Sequence, residues 1–295
     1  MTTTTAAAES STRRRGGVAD TVASVMVAYR WELRKLAAQK RTWLGIAVAA
    51  LTPVFFLLSI QFSKVTPGDG PYGDALGPNL RHTGLAIDPV VLVEITMIGP
   101  AILAALIAGD IVAGEDMAGT LKTILVRGLR RGQILAGKTL ALFTYVLAVV
   151  LAFIIVGIPA GIIAWGFNPV TNLNGDRISA LHTLGLTIAS LALYTAPFLA
   201  VASFGLFLSV VTRHSVAAVV GTLFYTVALQ GLSGVPAIAW IHPYLIVNQF
   251  TAWYGFFHTP TQWYLITRCL WVSALFAIPP LIAAWIIFQR RDVDS

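Results

Sequence analysis

The chain has 295 residues, of which 57% are hydrophobic and 11% charged, and its mean hydropathy is +0.77. Soluble domains carry about 25% charged residues, so a water-exposed globule is excluded and much of the surface must face lipid. The net charge of +7 comes from basic residues set between apolar runs rather than along one face, which excludes a nucleic-acid groove, and the single cysteine, Cys269, excludes an internal disulfide and a thiolate zinc site.

Residues 1–17 are Thr, Ala and Ser followed by Arg13-Arg14-Arg15-Gly16-Gly17, a composition that cannot bury enough surface to order itself, so a disordered tail is expected. Between about 18 and 41, Val22, Val25, Met26, Tyr29, Leu33 and Leu36 recur at helical spacing while Arg30, Arg34 and Lys35 take other faces. This pattern predicts a basic amphipathic helix lying in the lipid headgroup interface.

Six apolar runs follow, at about 42–63, 89–110, 139–167, 178–211, 215–232 and 263–288. A helix needs ~20 residues to cross ~30 Å of hydrocarbon, and each run meets or approaches that length. The third and fourth exceed it, so they should tilt, kink or project, with Pro159 and Pro197 as kink points. None alternates apolar with polar residues, which argues against a β-barrel.

Lysine and arginine set the orientation. With the N-terminus inside, inner segments hold 16 of the 20 basic residues: eight before the first run, five in 111–138, then Arg213, Arg290 and Arg291. The outer segments hold Lys64, Arg81 and Arg177. Both termini are therefore expected in the cytoplasm, with no cleavable signal peptide. The first outer loop, about 64–88, is rich in Gly, Pro and Asp and reads as irregular. The last outer segment, about 233–262, lacks Lys and Arg and carries Trp240, Tyr244, Phe250, Trp253, Tyr254, Phe256 and Phe257. Short helices dipping into the outer leaflet as an aromatic belt are expected there.

Two motifs mimic catalytic sites. Gly132-Gln133-Ile134-Leu135-Ala136-Gly137-Lys138-Thr139 matches the Walker A pattern, whose mechanism needs a buried strand, a glycine loop cradling phosphate and then a helix. Arg127-Gly128-Leu129-Arg130-Arg131 makes no such strand, so no nucleotide, cofactor or metal is assigned to the chain. Gly231-Leu232-Ser233-Gly234 resembles the serine signature of rhomboid proteases, which also have six spans. Their histidine lies in the sixth span, whereas His242 and His258 precede it here, and a serine without a base is a poor nucleophile.

The loop 111–138 is charge-dense. Glu115 and Asp116 precede Gly119-Thr120, and Lys122, Arg127, Arg130 and Arg131 follow among Leu121, Ile124 and Leu125. Acid at the start and base at the end suit the dipole of a short helix, whose apolar face could pack on a partner. A loop that only fixes topology is the plainer reading.

Gly114-Glu115, Gly119-Thr120-Leu121, Leu125 and Arg131-Gly132-Gln133-Ile134-Leu135-Ala136-Gly137-Lys138 resemble the loop of bacterial type-2 ABC-transporter permeases. Trp31-Glu32-Leu33-Arg34-Lys35-Leu36, leading through Lys40-Arg41-Thr42-Trp43, is similar to their interfacial helix, while Gly128 stands where many relatives have proline. The resemblance implies an all-α integral membrane protein of the bacterial plasma membrane, with an N-terminal interfacial helix, six transmembrane helices, a cytoplasmic coupling helix at about 111–130 and short outer-face helices before the last span. It also implies an exporter subunit that forms a homodimer or heterodimer of permeases and receives force from a separate ATP-binding subunit. Glu115, Asp116, Gly119, Thr120, Lys122, Arg127 and Arg131 would contact or position that subunit. The other readings open are a rhomboid-type intramembrane protease and a non-transporting membrane anchor for an ATPase.

Glu94 and Arg268 lie at similar depth in the second and sixth runs. A lone charge in hydrocarbon costs several kcal/mol, so an ion pair between them is one expectation and separate snorkelling to the interface is the other.

Overall fold

The computed structural model describes residues 18–62, 79, 82–95, 98–119 and 129–290. The order is α1 (Val18–Ala38), α2 (Lys40–Phe62), a 3-10 turn (Gly84–Ala86), α3 (Ile87–Ile95), α4 (Gly99–Ala108), α5 (Ala113–Met117), α6 (Arg131–Trp165), α7 (Ala180–Thr212), α8 (Ser215–Ser233), α9 (Ile246–Gln249) and α10 (Trp263–Arg290). A two-stranded hairpin, β1 (Val170–Thr171) and β2 (Arg177–Ile178), joins α6 to α7 with Val170 opposite Ile178 and Thr171 opposite Arg177. Two further 3-10 turns, Pro236–Tyr244 and Ala252–Phe257, flank α9.

α2, α6, α7, α8 and α10 are each long and apolar enough to cross a membrane, and α3 with α4–α5 makes a sixth span if the two pieces count as one. The chain is an all-α, multi-pass membrane protein. The second run is not the single helix expected at 89–110. Its two pieces meet at 69° because Gly99-Pro100 stands at the start of α4. Proline lacks an N–H and disfavours helical geometry in the residue before it, so it opens a new helix more readily than it continues an old one.

α7 is the central helix. Its most apolar stretch is 67% buried, against 17% in α2, α8 and α10, because α4, α6, α8 and α10 all pack on it. α6 holds the other side of the bundle, with α1 and α2 against it. At 35 residues α6 is ~52 Å long, well beyond ~30 Å of hydrocarbon. It begins eight residues before the expected run, so much of the supposed 131–138 loop is its first two turns. The Gln133 side chain accepts from the Arg130 N–H at 2.9 Å, and Gly166, with φ +78°, ends the helix. Pro159 and Pro197 lie inside continuous helices.

α1 departs from the expected pattern of faces. Ala28, Glu32 and Leu36 are buried against α6, while Val22, Met26 and Trp31 are exposed. The 233–262 segment also differs. Trp240 and Tyr244 are exposed as an interfacial belt requires, but Phe250, Trp253 and Phe257 are each 1% exposed and belong to the core. Phe250 meets Tyr194 of α7 edge-on at 4.9 Å. The reason is folding geometry: the segment turns back over the ends of α7 and α10 instead of lying flat. Most of the 64–88 loop and the 1–17 tail fall outside the described residues.

Candidate functional site

The charges converge at the end of the bundle that carries α1. Lys138, in the second turn of α6, is fully buried, and its ammonium donates to Glu32 Oε1 at 2.6 Å and to the Ile111 carbonyl at 3.0 Å. Glu115 Oε2 of α5 lies 2.7 Å from the same nitrogen. An ammonium has three N–H donors; Glu32 and the Ile111 carbonyl accept two, and the Glu115 carboxylate lies on the third side as a counter-charge. Glu115 Oε1 also pairs with Lys35 of α1. The row Glu32, Lys138, Glu115, Lys35 thus alternates sign and sums to zero. Neutrality and satisfied donors are what a charge needs to survive burial, and loss of one member leaves its neighbour uncompensated.

A second cluster sits beside the first. Arg41, in the first turn of α2, pairs with Asp110 and also donates to Gln39 Oε1. The Ser215 hydroxyl, at the start of α8, donates to the other Asp110 oxygen. From α7, Ser209 Oγ accepts from the backbone N–H groups of Val112 and Ala113 at 3.2 and 2.9 Å, satisfying two donors at the start of α5 that its own helix cannot. The Ser215 N–H points at Met117 Sδ, 3.3 Å away. The five-residue α5 is thereby fastened to α1 and α6 by ion pairs and to α7 and α8 by hydrogen bonds, and the turn before it to α2.

Close backbone approach makes this geometry reachable. A Cβ on Gly137 would lie 2.7 Å from Ala28 Cβ and 2.8 Å from the Tyr29 nitrogen, so only glycine lets α1 cross α6 there. A Cβ on Gly132 would lie 2.6 Å from the Trp285 ring. The Walker-like residues are therefore helix-packing positions, and Thr139 Oγ1 donates to the Leu135 carbonyl within the helix. A cavity of about 370 Å³ lies between α1 and the start of α6, walled by Trp31, Glu32, Lys35, Glu115, Leu129 and Ile134 among others.

The expected contact residues divide. Glu115 is buried in the ion-pair row, and its carboxylate faces inward. Asp116 is half-buried. Gly119 is exposed, with φ +67° and open space around it. Arg131 donates from Nη1 to the Gln289 carbonyl at 3.3 Å, tying α6 to the end of α10. Thr120, Lys122 and Arg127 lie outside the described residues. Met117, Ala118 and Gly119 form an exposed tip beyond the fastened helix. Sequence reasoning passed over Glu32, Asp110, Ser209 and Ser215, and met Lys138 only as a motif letter. A signal did exist: Glu32 interrupts the buried positions Ala28 and Leu36, and an acid there needs a buried cation.

Glu94 and Arg268 are not brought together among the described residues. Glu94 is exposed on α3, and the Arg268 guanidinium lies 6.0 Å from the Tyr264 ring centre. Among the described residues the rhomboid-like serine makes no hydrogen bond to a histidine. Ser233 donates to the Gln230 carbonyl at 2.8 Å, while the rings of His242 and His258 bond to the carbonyls of Val235 and Tyr254. No cluster of three or more metal-ligating side chains is present among the described residues.

Over 121 residues the chain is 30% identical to a protein of Stutzerimonas stutzeri named "Probable ABC transporter permease protein NosY", a stretch that covers 38% of this chain and 44% of that protein. The chain is thus similar to a probable ABC transporter permease over less than half of that relative's length. Residues 46–293, from α2 to beyond α10, match the family described as "Protein of unknown function (DUF2705)", and the chain belongs to that family.

Proposed function

We propose that this protein is the permease subunit of an ATP-driven exporter in a bacterial plasma membrane, working as a pair of permease chains with a separate ATP-binding subunit on each. The observation that carries this reading is the fastening of α5 to four helices of the bundle, with an exposed tip at Met117–Gly119. A push on such a tip moves α1, α6, α7 and α8 together, because the ion pairs and backbone contacts are too short to absorb it. The similarity to a permease is the second support.

In this reading the α1 end is cytoplasmic, in keeping with the basic residues concentrated there. Trp31 and the exposed apolar residues of α1 rest in the lipid interface. Glu115, Asp116 and Arg131 position the coupling segment from within, and Gly119, Thr120, Lys122 and Arg127 meet the ATPase. Glu94 and Arg268 each reach toward an interface on their own.

The test is to solubilise the tagged chain from its native membranes in mild detergent and identify what co-purifies. A stoichiometric ATPase is expected, lost in Met117→Asp with Lys122→Glu while the variant still elutes as a folded species. Recovery of the chain alone, under conditions that keep other membrane complexes intact, would overturn the reading.

A further inference from the structure

Far from the charge row, at the hairpin end of the bundle, one acidic side chain is buried with no counter-charge among the described residues. Asp88, in the first turn of α3, is 1% exposed, and neither carboxyl oxygen has a hydrogen-bond partner. Leu85, Ile87, Val91 and Leu92 around it in sequence are buried too.

The chain is shaped to receive this group. Gly157 and Gly161, one turn apart on α6, face the 3-10 turn and α3 running the other way. A Cβ on Gly157 would lie 2.2 Å from Asp88 Oδ1, and one on Gly84 would lie 2.0 Å from the Gly161 carbonyl. Gly84 donates its N–H to the Gly166 carbonyl at 3.0 Å, and Thr83 Oγ1 donates to the Asn168 carbonyl at 2.9 Å. Gly84 with Gly161 and Asp88 with Gly157 therefore make a two-rung seam in which backbone meets backbone and a carboxyl fills the space left by a missing methyl.

Among the described residues no cation faces that carboxyl. On α6 the titratable groups are Arg131, Lys138 and Tyr145, the nearest of them 12 residues or ~18 Å along the helix from Gly157. On α2, Lys40 and Arg41 lie at the opposite end. α7 presents the buried hydroxyls of Thr183, Thr187 and Ser190, which donate to the carbonyls of Ser179, Leu85 and Leu186; on the same helix His182 is exposed and Tyr194 is buried. His82 and, on α3 itself, Glu94 are exposed. Among the described residues Asp88 belongs to no group of three or more metal-ligating side chains, so the site suits a proton and not a metal ion.

We propose that Asp88 is a proton-binding site that controls the seam between α3 and α6. The carboxylate takes up one proton from water to become a neutral acid, and in that form it seats against Gly157. Loss of the proton leaves an unpaired charge in an apolar interior, which is strongly disfavoured, so ionisation drives the first half of the broken span off α6. The break before Gly99-Pro100 lets that half move without dragging α4. This inference concerns the α3–α6 seam alone and does not depend on the partner ATPase.

The experiment uses the full chain in lipid nanodiscs. Infrared spectra at neutral pH are expected to show the carbonyl band of a protonated carboxylic acid, lost in Asp88→Asn. Absence of the band, or its persistence in Asp88→Asn, would overturn the site. A second readout places a lone thiol in the seam, as Leu85→Cys with Cys269→Ser, and follows its labelling by a membrane-permeant maleimide. Relative to the same thiol with Asp88→Asn, labelling is expected to rise ~10-fold or more from neutral to alkaline pH, a factor equal to ~1.4 kcal/mol. Ionisation of the thiol itself contributes to both proteins alike, so equal pH dependence would overturn the control of the seam.

Discussion

Replacing Lys138 by methionine tests the charge row most directly. The substitution keeps the length of the side chain and removes its charge. Glu115 retains Lys35, but Glu32, whose ion pair is with Lys138, becomes a buried acid without its counter-ion. The Ile111 carbonyl also loses a donor. Breaking a buried pair by deleting one partner costs ~3–5 kcal/mol, a factor of at least ~100 in the folded population. At ~2–4 °C per kcal/mol for a chain of this size class, the melting temperature in detergent should fall on the order of 10 °C. The informative variant is the double, Lys138→Met with Glu32→Gln, which removes both charges and leaves Glu115 with Lys35. It should recover most of the loss, with a coupling energy of ~2 kcal/mol or more in a double-mutant cycle. Thermal unfolding followed by tryptophan fluorescence and by size-exclusion elution reads both. A single variant within ~1 kcal/mol of the parent, or a double no more stable than the single, would refute the argument that these charges are mutually compensating.

Three further outcomes follow from the same geometry. Gly137→Leu should detach α1 from α6, seen as new protease cleavage within 18–38 while the spanning helices stay protected, because its side chain would occupy the Ala28–Tyr29 backbone. Gly119→Val should cost only ~1 kcal/mol in stability through its left-handed backbone, yet lower partner-stimulated ATP turnover several-fold if the tip carries the push; unchanged turnover would count against that role. Ser233→Ala should leave transport and growth phenotypes unaltered, since among the described residues the hydroxyl bonds to the Gln230 carbonyl of its own helix, whereas an intramembrane protease would lose all activity.

Much of the architecture can be read along the chain. The five long helices lie within a few residues of the apolar runs that predict them, apart from α6, because crossing hydrocarbon is a one-dimensional requirement: enough consecutive apolar residues, with every backbone group bonded inside its own helix. The amphipathic character of α1 follows from helical spacing in the same local way. The early start of α6 was masked by Arg131, Gly132 and Gln133, which read as loop by composition but are held helical by the Gln133 cap and by Trp285 against Gly132.

The site could be read only in part, because its meaning rests on residues far apart in sequence. Glu115 stood out as charged, but hydropathy treats all charges alike and so placed it at the surface; its two lysines come from α1 and α6, 80 and 23 positions away. Gly137 and Lys138 fitted a phosphate loop by spacing, and only the crossing of α1 turns one into a contact point and the other into a buried counter-ion. Asp88 at the margin of an irregular loop gave no sign that Gly157 had been cleared for it. The sequence by itself determined that this chain crosses a membrane several times and which segments do so. The tertiary structure alone decided which charges neutralise one another, where glycine admits a neighbouring backbone, and that the second span is broken, since each depends on a partner that local pattern does not contain.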